Sequence, residues 1–341
     1  MNLPPASILW VNYNSMGFRD VVEDSLRSVW ELDYPDYELI VVDNASTDGS
    51  FEVVKQCVER VGVKASVVRS KKNLGFAGGN NLAYKFVSKD SKYIILLNND
   101  AVAYPESLRE IVEFMEDKPS VGAVQGIIYE YTSPAIQAAG SFLTELLTSW
   151  TLKTPPRKPI SITYPSGAFA ILRRESLNRI GLANRLFPEG SFAFLDDNYL
   201  GMKLWNHGYK VLSLPVKAAR HVGGASFRKV KRVMLYYGHR AWATRIFMTE
   251  GRMKPFAFLL CLRVAATYNT GRAVIDGYRL AKRIGEHFDI NRMPIVKLPK
   301  TYKMPAYLVL RRLLTYDIDR CYSRPQVNVN FKKLFGGSRI G

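Results

Sequence analysis

Along the first part of the chain, short β-branched and apolar runs alternate with stretches whose apolar residues recur at three- and four-residue steps. The runs Ser7–Val11, Leu39–Val42, Ser66–Val68 and Tyr93–Leu97 predict buried strands. Between the first two, Phe18, Val21, Val22, Ser25, Leu26, Val29 and Trp30 predict a helix that turns one face to a sheet. Pro105 opens another helix where a missing N–H costs nothing, and Leu108, Ile111, Val112 and Met115 supply its buried stripe. Such alternation predicts an α/β fold, a mostly parallel sheet flanked by helices. Residues 127–164 are irregular, with prolines and scattered aromatics, and predict a hairpin or loop region beside a site. A strand resumes at Ala168–Leu172, helices at Arg174–Ile180 and Asn198–Asn206, and a strand at Tyr209–Leu214. From Phe227 onward the chain reads as helical, basic and aromatic. The expected division is a catalytic domain at 1–227 and a C-terminal element at 228–341.

Charge sharpens that division. Residues 1–227 carry 24 Lys+Arg and 24 Asp+Glu, residues 228–341 carry 24 and 6, so the whole net charge of +18 lies in the last third. Three cysteines, Cys57, Cys261 and Cys321, are too few and too scattered for a disulfide framework or a metal cluster. The apolar stretch Phe256–Leu262 is far shorter than the roughly 20 residues of a spanning helix, and the N-terminus lacks the pattern of a secretory signal. A cytoplasmic location is expected.

In open parallel sheets, ligands bind beyond the carboxyl ends of the strands, so the polar residues after each apolar run carry the chemistry. Here they are Asn12-Tyr13-Asn14, Asp43-Asn44-Ala45-Ser46-Thr47-Asp48-Gly49 and Asn98-Asn99-Asp100. Asp43 can accept the imide N–H of uracil or thymine with Tyr13 packed on the base; an aspartate there also suits a helix or turn cap. Asn73-Leu74-Gly75-Phe76-Ala77-Gly78-Gly79-Asn80 sets three glycines at a turn into a helix, where bare backbone can meet phosphate or simply close a tight turn. Asn14, Asn44, Asn73, Gly75, Asn98 and Asn99 complete the nucleotide-facing candidates. Asp100 offers a hard ligand for Mg²⁺ or Mn²⁺ holding a diphosphate, or a cap for the Pro105 helix. Asp196 and Asp197 lie just ahead of a helix, placed to take a proton from a hydroxyl or to face the helix dipole. His221, a short connection beyond Leu212–Leu214, is a candidate metal ligand or phosphate donor beside the structural role usual for a lone histidine.

VNYNS, VVDNASTDGS, NLGFAGGNN, LLNNDA, SGAFAILRRESLNRIG, the Asp196-Asp197 pair and HVGGAS occur in one order over residues 6–227. The ordered set resembles the inverting family 2 glycosyltransferases of GT-A fold, particularly their rhamnosyltransferase-like members. The resemblance implies transfer of a sugar from a nucleoside diphosphate to an acceptor hydroxyl, with a divalent cation. It makes Tyr13 and Asp43 the base-recognition pair and Asn73 and Gly75 nucleotide-lining. Asp100 becomes the last acid of a DXD-type metal motif whose first position is Asn98, His221 its downstream companion, and Asp197 the catalytic base. Ser166 and Gly167 fall on the acceptor side. Three positions depart from the family pattern: Asp196 replaces the usual glutamate, Tyr199 a common acid and Lys203 a common arginine, which bears on acceptor recognition.

The last third sets Arg228, Lys229, Lys231, Arg232, Arg240, Arg245, Arg252 and Lys254 beside Tyr236, Tyr237, Trp242 and Phe247. Cations with aromatics suit an anionic membrane surface, and helices that pack on the catalytic domain or a second copy account for them equally. No specific nucleic-acid motif accompanies the charge. The expected partners are a UDP- or dTDP-sugar ahead of a GDP-sugar, and a glycan or lipid-linked acceptor at the inner face of a membrane. The rival readings are a nucleotide-sugar-binding scaffold without catalysis, a nucleotidyltransferase and a basic adaptor.

Overall fold

The computed structural model describes residues 3–60, 64–223 and 231–297. Gly224, Ala225, Ser226, Arg228, Lys229 and Cys321 lie outside the described residues, as does the side chain of Lys231. The N-terminal alternation is β1 (Ala6–Asn12), α1 (Arg19–Trp30), β2 (Tyr37–Asp43), α2 (Ser50–Glu59), β3 (Ala65–Arg69), α3 (Gly75–Tyr84) and β4 (Tyr93–Asn98). A short β5 (Ala101–Ala103), α4 (Ser107–Glu116) and a long β6 (Val121–Glu130) follow. Next come β7 (Ile136–Ala138), β8 (Ser141–Thr144), β9 (Ser149–Thr151), β10 (Ile160–Ser161) and β11 (Phe169–Arg173). The N-terminal region closes with α5 (Arg174–Arg179), α6 (Asp196–Asn206) and β12 (Lys210–His221).

The central sheet runs β10-β12-β6-β11-β4-β1-β2-β3. Strands β3, β2, β1 and β4 are parallel, as are β6 and β12, while β11 runs antiparallel between β4 and β6. Because side chains alternate across a strand, each strand feeds both faces. Ile8, Trp10, Val41 and Ile95 pack with Val22 and Leu26 of α1 and Ile111 and Met115 of α4, whereas Leu9, Ile40, Ile94 and Leu96 pack with Ala77 of α3 and Leu200 of α6. Burying both faces is what makes these strands near-continuous apolar runs.

The segment 127–164 holds hairpins, as expected: β6 extends into it, β7 pairs antiparallel with β6, and β8 and β9 form an antiparallel pair. These strands are too short to show a periodicity. One expectation needs correction. The last strand does not stop at Leu214 but continues to His221, with register shifts between Ser213 and Ala219. Pro215 lacks an N–H and is tolerated at such bulges, and the bulge scrambles the two-residue alternation that would have revealed the extension.

Three helices, α7 (Lys231–Met248), α8 (Lys254–Thr267) and α9 (Gly271–Ile284), follow. They pack on one another and on the N-terminal region. Trp242 donates its indole N–H to the Leu146 carbonyl at 2.9 Å, and the buried Arg245 donates to the Leu147 carbonyl and the Asn198 side chain. Among the described residues no helix is long and apolar enough to cross a membrane.

Candidate active site

Register brings the polar strand ends together. In the parallel ladder Asn12 lies opposite Asp43 and Val11 opposite Asn98, so the ends of β1, β2 and β4 align. Asn12, which sequence reasoning passed over as a ligand candidate, is the hub of this edge. Its Nδ2 donates to Asp43 Oδ1 at 3.0 Å and lies near Ser46 and Ser50, while its Oδ1 accepts from Ser15 and Asn99. Asp43 is buried, and its other oxygen accepts the Ser46 N–H at 3.1 Å and faces Arg69 Nε at 3.3 Å. The turn-capping role of Asp43 is therefore realised, and a carboxylate with roughly four lone-pair sites keeps capacity for a further donor.

Asn14, at φ 44°, accepts from the Thr47 N–H and ties the β1 turn to the β2 turn; Tyr13 beside it is half-buried. Asn44 donates to the Asn73 side chain and the Gly75 carbonyl and accepts from the Leu74 N–H. Asn73 in turn accepts the Gly75 N–H at 2.8 Å. The glycines of this turn serve close packing: a Cβ on Gly75, at φ +72°, would sit 2.4 Å from the Phe192 carbonyl oxygen, and one on Gly79 2.7 Å from Val11. Gly75→Ala is expected to destabilise the protein by about 1–3 kcal/mol through backbone strain and overlap. Thermal unfolding checks this, and an unchanged melting temperature contradicts it.

A second cluster forms where β5 pairs with the end of β12. Ala101 lies opposite His221, which sets Asp100, the residue before β5, against the imidazole. Asp100 is buried and its Oδ1 lies 3.0 Å from His221 Nε2; Asn98 Nδ2 is 3.4 Å from the same nitrogen. Gln137, in the irregular segment 127–164, fixes the ring. Its amide nitrogen donates to the His221 carbonyl, and its oxygen lies 2.6 Å from Nδ1. An amide oxygen only accepts, so Nδ1 carries a proton, and the ring is held with Nε2 toward the Asp100 carboxylate. Together Asp100 and His221 could offer an oxygen and a nitrogen ligand to a shared cation. Among the described residues no group of three or more His, Cys, Asp or Glu is arranged to hold a metal ion. A cation held by two such groups would take its remaining ligands from substrate phosphates or water, as Mg²⁺ commonly does.

Asp196 and Asp197 open α6 itself rather than preceding it. Asp196 is buried and accepts a 2.6 Å hydrogen bond from Ser191 Oγ; burial pushes its carboxyl up to about 6. That oxygen holds the preceding loop. Asp197 is half-buried and accepts the Gly167 N–H at 2.9 Å. Burial pushes its carboxyl up to about 7, aided by the charge of Asp196 and opposed by Gly167 and by His221, whose influence ties this carboxylate to the Asp100 cluster. Gly167 is the close neighbour that shapes the slot, since a Cβ there would lie 2.7 Å from Asp197 Oδ1 and 2.8 Å from the Phe76 ring. Ser166 donates its N–H to the buried Gln125, which places the turn.

The loop before α6 is strained, with Phe192 and Phe194 at φ 64° and 68°. Its restraints come from α7: the Phe192 ring stacks on Tyr237 at 4.5 Å and 13°, and Arg240 donates to the carbonyls of Gly190 and Ser191. Tyr199 and Lys203, the other two departures within α6, both engage Glu286, Lys203 Nζ at 2.6 Å. Their side chains are committed to the C-terminal segment.

Comparison with known proteins gives this geometry its family. Poly-β-1,6-N-acetyl-D-glucosamine synthase of Staphylococcus epidermidis is 26% identical over 181 residues, 51% of this chain and 41% of that protein. The Bacillus subtilis protein TuaG, named for teichuronic acid biosynthesis, is 30% identical over 115 residues, 34% of this chain and 43% of that one. The chain thus spans less than half the length of either relative. Among solved structures, a Pyrobaculum calidifontis mannosyltransferase in complex with GDP-Man and Mn²⁺ superposes with a TM-score of 0.54 at 18% identity, covering 94% of this chain and 83% of that one. GalNAc-T7 with UDP, GalNAc and Mn²⁺ gives 0.62 at 14% identity, covering 83% and 57%. These likenesses establish the α/β GT-A fold. The family model for glycosyl transferase family 2 matches residues 7–181, half of the chain, and the chain belongs to that family of glycosyltransferases.

Proposed function

We propose that the protein transfers a sugar from a nucleoside-diphosphate donor to an acceptor hydroxyl by direct displacement, with Asp197 as general base. The observation that carries this reading is the half-buried Asp197 carboxyl, pushed up to about 7 by burial and within electrostatic reach of His221. In the proposed reaction the acceptor oxygen bonds to the anomeric carbon while the bond from that carbon to the diphosphate oxygen breaks. The electron pair leaves with the nucleoside diphosphate, and the hydroxyl proton passes to Asp197. A base with a pKa near the working pH suits this transfer. Asp100 and His221 would hold Mg²⁺ or Mn²⁺, which supplies charge neutralisation at the leaving diphosphate. Tyr13, Asn14, Asp43, Asn44, Asn73, Gly75, Asn98 and Asn99 form the nucleotide end, with a UDP- or dTDP-sugar expected ahead of a GDP-sugar. Ser166 and Gly167 border the acceptor, and Asp196 acts by holding the loop.

The acceptor in this reading is a lipid-linked or surface glycan at the cytoplasmic face of a membrane, approached through the basic C-terminal residues. Support comes from the charge of that region and from two relatives whose names refer to teichuronic acid and to poly-β-1,6-N-acetyl-D-glucosamine. The test is the anomeric configuration of the product, read by proton NMR. Inversion is expected; a retained configuration would remove Asp197 as base of a single displacement.

Gln137→Leu is expected to weaken Mn²⁺ binding about 10–100-fold, because it frees the imidazole that Gln137 orients. Calorimetric titration of Mn²⁺ with nucleoside diphosphate present measures this, and wild-type affinity would show that Gln137 merely fills space.

A further inference from the structure

Large exposed apolar side chains concentrate in one part of the molecule. On α8, Phe256 is 51% exposed, Leu259 61% and Leu262 42%. The opposite face of the helix, with Ala257, Leu260, Cys261 and Val264, is buried against Trp242, Ile246 and Leu146. Phe256, Leu259, Arg263 and Ala266 follow steps of three and four residues, so they form one stripe along the helix. A surface helix normally turns charge to water and only its apolar stripe to the core; α8 is apolar on both sides. It holds no Asp or Glu, and from Glu250 to Asp276 the chain carries Arg252, Lys254, Arg263 and Arg272 against those two acids, Asp276 pairing with Arg272.

An apolar stripe set among cations needs a partner that is apolar and negatively charged. A second copy presents the same basic face, and residues 298–341 carry nine Lys+Arg against two Asp, so both are repelled rather than recruited. Helix α8, at 14 residues, is too short to span a bilayer, whose hydrocarbon core requires about 20. We propose that α8 is an interfacial helix that lies on an anionic lipid surface, with Phe256, Leu259 and Leu262 entering the headgroup boundary and the neighbouring cations meeting acidic headgroups. The inference rests on the membrane-borne acceptor only for its purpose, since the helix binds lipid whether or not sugar is transferred.

The full chain, carrying Leu259→Trp, is mixed at low ionic strength with vesicles of phosphatidylcholine alone or with phosphatidylglycerol. The tryptophan emission difference from wild type is expected to shift to the blue only with the anionic vesicles. Cosedimentation should fall about 10–100-fold in Leu259→Asp, the range for losing one buried leucine, while donor hydrolysis by the same variant stays at the wild-type rate. Equal binding by Leu259→Asp, no emission shift, or a solution dimer that itself buries Leu259 overturns the proposal. Lipid binding without sugar transfer leaves this contact standing and removes the reading of the acceptor; transfer to a lipid-linked acceptor without vesicle binding does the reverse.

Discussion

Asp197→Asn is expected to lower sugar transfer by about 10²–10⁴-fold while leaving donor affinity within a few-fold of wild type. The amide keeps the hydrogen-bond acceptor for the Gly167 N–H but cannot take a proton. In the wild type, kcat/KM for the acceptor should rise with pH through about 7, where burial has moved this carboxyl. Removing the neighbouring charge with Asp196→Asn should move that limb to lower pH. Stability runs the opposite way. Because the folded carboxyl lies above its ordinary 3.8, its contribution to folding is full below that value and is lost as pH rises through about 7. Asp197→Asn should therefore melt above wild type at pH 8, and the gap should close near pH 4. A variant that is inactive because it is unfolded would show neither the retained donor affinity nor this pH-dependent gain.

Asp100→Ala is expected to cost about 10²–10³-fold in turnover, the range for removing one group that stabilises the charge of a transition state. The loss should be accompanied by a higher Mn²⁺ requirement, because His221 Nε2 then has no carboxylate partner at 3.0 Å. Nucleoside diphosphate binding should depend on Mn²⁺ in the wild type and lose much of that dependence in the variant, whereas binding of the free nucleoside should not change. Wild-type turnover in Asp100→Ala, or donor binding indifferent to cation in both proteins, would remove the diphosphate-clamping role from this pair.

The fold was legible where the physics is local and repetitive. Parallel strands buried on both faces must be apolar throughout, so Leu39–Val42 and Tyr93–Leu97 announced themselves, and the polar residues beyond them marked the edge where the site lies. What was hidden depends on distant pairing. Gln137 is one glutamine in a proline-rich stretch, and only the pairing of β7 with β6, next to β12, brings it to His221. Asn12 ends a strand as many residues do, and its role as hub follows from the β1–β2 register. Tyr199 and Lys203 depart from the family pattern, and both side chains reach Glu286. Their partner lies more than eighty residues away in sequence, beyond any local pattern. The glycines of the Asn73–Asn80 turn suited phosphate and packing equally on paper; contacts with Phe192 and Val11 show the packing.

The most direct test of the central claim is release of nucleoside diphosphate from a panel of UDP-, dTDP- and GDP-sugars, with and without Mn²⁺ and membrane lipid extract, for the wild type beside Asp197→Asn. Release that needs the cation, rises with the extract, occurs with one class of donor and is lost in an Asp197→Asn protein that still binds that donor is the predicted result. Release at equal rates from both proteins would contradict it, as would a wild type that binds no nucleotide sugar with the cation present.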